Sequence, residues 1–195
     1  MMKTKTALVL ASSSPRRREL LHTLGIPFTV QTSDVDETTA PGLSPREVVE
    51  ELAVRKAQVV ASTLTEGVVL GSDTIVVLEG QILGKPADEA DAFHMLSMLQ
   101  GREHTVYSGV ALINAASGRV EVSHSHTQVR IRTLSQTEIE SYIATHEPMD
   151  KAGSYAIQGI GATIVEGITG DYFTVVGLPL CLTANMLSRF GITVL

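Results

Sequence analysis

The chain has 195 residues, 44% of them hydrophobic, a formal net charge of −6 and a mean hydropathy of +0.18. That length can bury a core as one domain or as two lobes on one sheet, and charged residues interrupt every apolar run well short of a membrane span. The acidic balance excludes a broad nucleic-acid footprint, and the single cysteine, Cys181, excludes an internal disulfide and fits a reducing, cytoplasmic compartment.

The opening stretch MMKTKTALVLASSS has a weak likeness to a signal peptide, but arginines follow where a small-residue cleavage site would lie. Ala7 to Ala11 is therefore read as a first core strand. Ser14 as N-cap and Pro15 at the first helical position open a helix with Leu20, Leu21 and Leu24 on one face. A strand, a hydroxyl-rich turn and a helix N-terminus together form a general phosphate-holding arrangement. Arg16, Arg17 and Arg18 add cationic forks, and cations at the positive end of a helix dipole are unfavourable unless an anion is bound there. Capping alone offers the alternative of an ordinary helix start with solvated arginines. Gly25 closes the helix, and Pro27 to Thr32 reads as a second strand.

An acidic loop follows from Ser33 to Leu43, polar enough for the mouth of a site. In it Asp36 and Glu37 either hold Mg²⁺ through one or two carboxylates or are simply solvated. Ser44-Pro45-Arg46-Glu47 is a capping box, opening a helix to about Thr63. Lys56 falls on its apolar stripe with Leu52, Ala53, Ala57 and Val60, either snorkelling to water or contacting phosphate. Val68 to Leu78 is strand-forming around Gly71-Ser72-Asp73-Thr74, and Glu79-Gly80 turns it into a hairpin with Gln81 to Leu83. A carboxylate in so apolar a run pairs with a cation, lines a cleft, or faces water at an edge or bulge. Pro86 holds Lys85 extended, as a phosphate ligand or a plain surface lysine.

Asp88 caps a structural helix ending near Gln100, with Gly101 beyond it. Arg102 to Asn114 and Arg119 to Arg132 read as two long strands joined by a turn at Ser117 and Gly118. His124 and His126 share a strand face without a third metal ligand in reach, which favours a partly exposed sheet face. Ser135 and Glu138 form a second capping box, and that helix stops before Pro148. Asp150 to Tyr155 and Gln158 to Gly161 then combine paired charges, small residues and an amide, the mix expected where backbone approaches a ligand, or else a turn between helix and strand. Ala162 to Glu166, Asp171 to Val176 and a helix from Pro179 to Phe190 complete the chain, with Gly177 and Pro179 assigned to packing. The expected fold class is α/β, a mixed twisted sheet with flanking helices. The acidic loop, Asp73, Lys85 and residues 150–161 would border one cleft at the sheet's end, with the arginine turn as its floor.

L-A-S-x-S-P-R-R-x-E-L-L at Leu10, the Asp36-Glu37 pair, G-S-D-T at Gly71, L-G-K-P at Leu83, D-K-A-G-x-Y-x-I-Q-G at Asp150 and V-G-L-P at Val176 occur in that order. Together they resemble the Maf family over nearly the whole chain. The resemblance implies one domain over residues 1–195, with a fold like that of inosine triphosphate pyrophosphatases and a ligand cleft between two lobes. It implies a nucleoside triphosphate pyrophosphatase linked to septum formation and nucleotide-pool cleaning. Asp73 would be the general base. Ser12, Ser14, Arg16, Arg17, Lys56 and Lys85 would hold the phosphates, and Asp36, Glu37 and Asp73 would sit near a divalent metal, Mg²⁺ or Mn²⁺. Thr74 and Gln158 would face the base. The combination of Arg16, Thr74 and Gln158 resembles the dTTP- and UTP-hydrolysing group, whereas the 7-methyl-GTP group tends to carry tryptophan, glutamine and glutamate there. The expected partner is a nucleoside triphosphate, with no nucleic acid and no membrane, and a homodimer as the candidate assembly. A non-catalytic nucleotide-binding regulator of septum formation would use the same cradle, and only Asp73 with the acidic pair separates the two. A division-inhibiting interaction protein would instead need a large exposed apolar patch.

Overall fold

In the computed structural model, which describes residues 7–32 and 34–195, the first strand is β1, Leu8–Ala11. The first six residues of the signal-like stretch, and Ser33 at the head of the acidic loop, lie outside the described residues. The order continues α1 (Pro15–Thr23), β2 (Phe28–Val30), α2 (Pro45–Ala61), β3 (Val68–Leu78), β4 (Gln81–Leu83) and α3 (Glu89–Leu99). It ends with β5 (Glu103–Asn114), β6 (Val120–Ile131), α4 (Gln136–Ile143), three short 3-10 turns within residues 147–163, β7 (Val165–Thr169), α5 (Tyr172–Val176) and α6 (Leu180–Ser188). The sheet runs β2-β1-β3-β5-β6-β7, with β4 paired to β3. It is mixed: β1 is parallel to β2 and β3, while β3 with β4 and β6 with β7 are antiparallel. No helix of the described residues is long and apolar enough to cross a membrane.

The chain divides into two compact units. The first holds the residues up to Asp73, Ser108–Ser125 and Gly177–Leu195. All four residues of β1 are buried, as a parallel strand covered on both faces requires. Val9, Ala11, Val69, Ala111 and Ile113 pack against Ala53, Ala57, Val60 and Ala61 of α2. That helix begins at the expected capping box, with Glu47 Oε2 accepting from Ser44 N at 2.8 Å. It lies directly on strand backbone. A Cβ at Gly71 would sit 2.3 Å from the Ala53 carbonyl oxygen, and one at Gly109 would sit 2.2 Å from that of Val49.

The second unit holds Thr74–Tyr107 and His126–Val176. Its core gathers Val76, Leu78, Met95, Leu96, Leu99, Val106, Val129, Ile131, Ile139, Tyr142 and Tyr155. The expected β3–β4 hairpin turns at Glu79 (φ 50°) and Gly80 (φ 84°), the paired positive angles of a tight primed turn. Segment 171–176, given no element type by pattern, is a short helix. Asp171 accepts there from the amides of Phe173 (3.2 Å) and Thr174 (3.0 Å). The expected second strand shortens to Phe28–Val30 and the last helix to Leu180–Ser188. His126 stacks on Tyr107 with ring centroids 5.5 Å apart, and in the first unit His124 Nδ1 lies 2.8 Å from Glu50 Oε1, so each histidine has a partner within its own unit.

His104 is a buried ionisable group of the second core, 3% exposed. Its Nε2 lies 2.7 Å from the Tyr155 hydroxyl, and its Nδ1 has no hydrogen-bond partner among the described residues. Burial pulls its pKa from 6.5 down to about 4. The native protein therefore holds fewer protons here than the unfolded chain between those values. The stabilising contribution is complete above pH 6.5 and is lost as pH falls toward 4. On this group alone, unfolding free energy should drop by about 3 kcal/mol across that window. Urea unfolding at neutral and acid pH checks it: His104→Gln should flatten that part of the profile, and an unchanged profile would remove His104 as the cause.

Candidate functional site

The turn after β1 uses its own hydroxyls. Ser12, 7% exposed, accepts from Ser14 N at 3.2 Å, and Ser14 Oγ accepts from Arg17 N at 3.4 Å as the cap of α1. Arg17 reaches back across the turn, its Nε donating to the Gly177 carbonyl at 2.8 Å. Buried Ser72 donates to the same oxygen at 3.1 Å. Gly177 has φ 125°, so the carbonyl is offered by backbone that a side-chain-bearing residue rarely adopts. Burial lowers the pKa of Arg17 from the usual arginine value, Asp73 opposes that, neighbouring Arg16 adds to it, and Glu37 opposes it again. A bound anion is therefore not the sole compensation for the charge of Arg17 at this helix start. Partners for Arg17 are already supplied by the protein.

Lys56 is the centre of the cluster. From the inward stripe of α2 its Nζ lies 2.5 Å from Asp73 Oδ1 and 2.8 Å from Glu37 Oε1. The Lys56 and Asp73 side chains are only 12% and 9% exposed, so both charges are withdrawn from water and each depends on the other. Lys56 is an ion-pair partner, which neither of its readings from sequence anticipated, and of the readings open for Asp73 the structure has the carboxylate paired with a cation. Asp36 turns elsewhere: its Oδ1 accepts from Thr38 N at 2.8 Å, a local Asx turn that lowers its pKa. Arg55 holds this loop by its main chain, donating to the carbonyls of Asp36 and of Thr38 (2.9 Å for the latter), and pairs with Glu51.

Thus the structure joins Ser12, Ser14, Arg17, Lys56, Glu37 and Asp73, with Arg16 beside Arg17 and Asp36 in the supporting loop. Thr74, half-buried and next after Asp73, exposed Lys85 and half-buried Gln158 belong to the second unit. Arg55, Ser72 and the Gly177 carbonyl went unnoticed in sequence. Only Ser72, a hydroxyl inside an apolar strand, carried a usable signal. Of the two readings open for the glycines near Gln158, ligand approach or a turn between helix and strand, the close contacts of Gly159 and Gly161 are those of a tightly packed turn. A Cβ at Gly159 would lie 2.4 Å from Glu147 Oε2, and one at Gly161 would lie 2.5 Å from the Tyr142 hydroxyl.

Among the described residues no group of three or more His, Cys, Asp or Glu could hold a metal ion by itself. Glu37 and Asp73, however, bring hard oxygen donors onto one shared cation. A pair of carboxylates completed by phosphate oxygens and water is the donor set that Mg²⁺ or Mn²⁺ takes at nucleotide sites, so these residues fit such an ion.

A family model described as Maf-like protein matches residues 7–190. A dTTP/UTP pyrophosphatase of Pelotomaculum thermopropionicum is 54% identical over 96% of this chain and 98% of its own length. One of Moorella thermoacetica is 55% identical over 96% of each. Among solved structures, the Staphylococcus aureus Ham1 protein covers 64% of this chain and 71% of its own, with a TM-score of 0.47 and 19% identity. With nearly its whole length matched by the family model, the chain belongs to the Maf-like protein family.

Proposed function

We propose that the protein hydrolyses dTTP and UTP to the monophosphate and pyrophosphate. The observation that carries the reading is a nearly buried aspartate, Asp73, held against Lys56 beside Arg17, in a chain about half identical to relatives named for that activity. Breaking the bond between the α and β phosphates requires cations on the phosphate oxygens and a base for the attacking water. In this reading Ser12, Ser14, Arg16, Arg17, Lys56 and Lys85 bind and orient the triphosphate. Asp73 takes the proton of the water whose oxygen bonds to phosphorus as the bridging bond breaks. Glu37, on the loop that Asp36 braces, and Asp73, on β3, would hold the divalent ion, which would offset triphosphate charge. Such nucleotides are pooled in the cytoplasm, where exposed Cys181 stays reduced.

Thr74 and Gln158 face the base. The Gln158 side chain accepts no cap bond and has no hydrogen-bond partner among the described residues, which leaves its amide for a ligand. An amide donates to O4 and accepts from N3–H of uracil or thymine, whereas cytosine inverts that pattern and a carboxylate only accepts. Incubation with Mg²⁺ and dTTP, UTP, CTP and 7-methyl-GTP should release pyrophosphate with the highest kcat/KM for dTTP and UTP. Gln158→Glu should lower the dTTP-to-CTP ratio by about tenfold or more. A wild-type preference for CTP or 7-methyl-GTP, or an unmoved ratio in Gln158→Glu, would overturn Gln158 as the base reader.

A further inference from the structure

We infer that Glu147, with Tyr142, is the positioning residue for base selection: it fixes the turn that carries Gln158. The inference rests on the reading of Gln158 given above. Residues 156–161 cross the end of α4, and three of their backbone N–H groups are held by two side chains. Tyr142 Oη accepts from Ala156 N at 3.1 Å and donates to Glu147 Oε1 at 2.8 Å. The same Oε1 accepts from Gly161 N at 2.8 Å, and Oε2 accepts from Ile160 N at 3.0 Å. Gln158 therefore sits between one clamped amide on its N-terminal side and two on its C-terminal side.

The chemistry of the clamp is specific to a carboxylate. Three donors converge on two oxygens, and only a group that accepts at both atoms and donates at neither satisfies them all. A glutamine would turn an NH₂ toward an N–H or O–H donor. Burial raises the pKa of Glu147, but the Gly161 and Ile160 amides, the Tyr142 hydroxyl and Lys151 outweigh it, leaving the group below the usual glutamate range. The clamp is itself anchored, because Lys151 Nζ donates to the Glu147 carbonyl at 2.5 Å and to Asp150 Oδ1 at 2.6 Å. The turn is drawn in so closely that no Cβ fits at two of its positions. Gly159 adopts φ 64° with its missing Cβ aimed at Oε2, and a Cβ at Gly161 would strike the Ala156 carbonyl oxygen at 2.2 Å. Glu147 touches neither phosphate nor reacting atom in this assignment. It acts through Gln158, whose selectivity depends on donor and acceptor being presented in register.

Two measurements on Glu147→Gln test this. Amide hydrogen exchange at Ile160 and Gly161 should accelerate by about tenfold or more, the local release of a clamped turn. The ratio of kcat/KM for dTTP over CTP should fall by about tenfold or more, while the CTP value stays within about threefold of wild type. A merely structural role would lower both substrates in parallel and leave the ratio alone. A folded Glu147→Gln with unchanged ratio, or with unchanged exchange at both amides, overturns the proposal. If Glu147→Gln does not fold, Tyr142→Phe, which keeps the ring in the core, decides by the same ratio and by exchange at Ala156, the amide that its hydroxyl holds. A wild type that does not prefer dTTP over CTP would overturn the Gln158 reading instead, and the exchange data would still decide whether Glu147 holds the turn.

Discussion

Asp73→Asn is expected to lower turnover of dTTP by roughly two to four orders of magnitude while the chain stays folded. Asparagine has nearly the same volume, so the slot that leaves Asp73 6% exposed is not reshaped. Its amide oxygen still accepts from Lys56, and Lys56 keeps Glu37 at 2.8 Å, so the loop and α2 retain their connection. Arg17 and Ser72 keep the Gly177 carbonyl. What is lost is an anionic oxygen able to accept a proton from water. Steady-state kinetics, with circular dichroism and a thermal midpoint to establish folding, read this directly. Near-normal turnover in a folded Asp73→Asn protein would remove Asp73 from the chemistry.

Lys56→Met should reduce both stability and activity. Methionine fills the apolar stem of the lysine but leaves two carboxylates, Asp73 and Glu37, without the ammonium they share. Removing one partner of a buried pair leaves an uncompensated charge, at a cost on the order of 3 kcal/mol. The Glu37 side chain is 53% exposed and can turn to water, so the cost falls on Asp73. The double variant Lys56→Met/Asp73→Asn should therefore recover much of the stability and none of the turnover. Urea unfolding of the four proteins closes the cycle. A single variant within about 0.5 kcal/mol of wild type would mean that Asp73 is satisfied without Lys56.

Much of the frame was legible because it is written in local chemistry. Ser14 with Pro15, the boxes at Ser44 and Ser135, Asp88 as a cap and Glu79-Gly80 as a hairpin turn each depend on residues a few positions apart. Asp73 was legible as a carboxylate out of place. Its partner was not singled out, because Lys56 is 17 residues away on another element and its side chain could equally have reached water. Arg55 was hidden for a related reason: it binds main-chain carbonyls of the acidic loop, and a carbonyl leaves no mark on a sequence. The glycines near Gln158 were noticed, with ligand approach and a plain turn both left open. A missing Cβ records that something approaches, not whether it is a ligand or, as here, Glu147 and Tyr142.

The same ambiguity bears on Gly71, where the approaching object is α2. The missing methyl faces Ala53 and Ala57, three residues before and one after Lys56, and Gly71 itself lies two positions before Asp73. Bare backbone here acts as a tolerance between two machined parts: the helix seats at the depth that lets an ammonium meet a carboxylate at 2.5 Å. A methyl group added at Gly71 would behave as a shim, lifting the lysine away from its aspartate without altering either one. The site's dimensions are thus held by an atom that is not there, and damage to the chemistry can begin at a residue with no chemistry of its own.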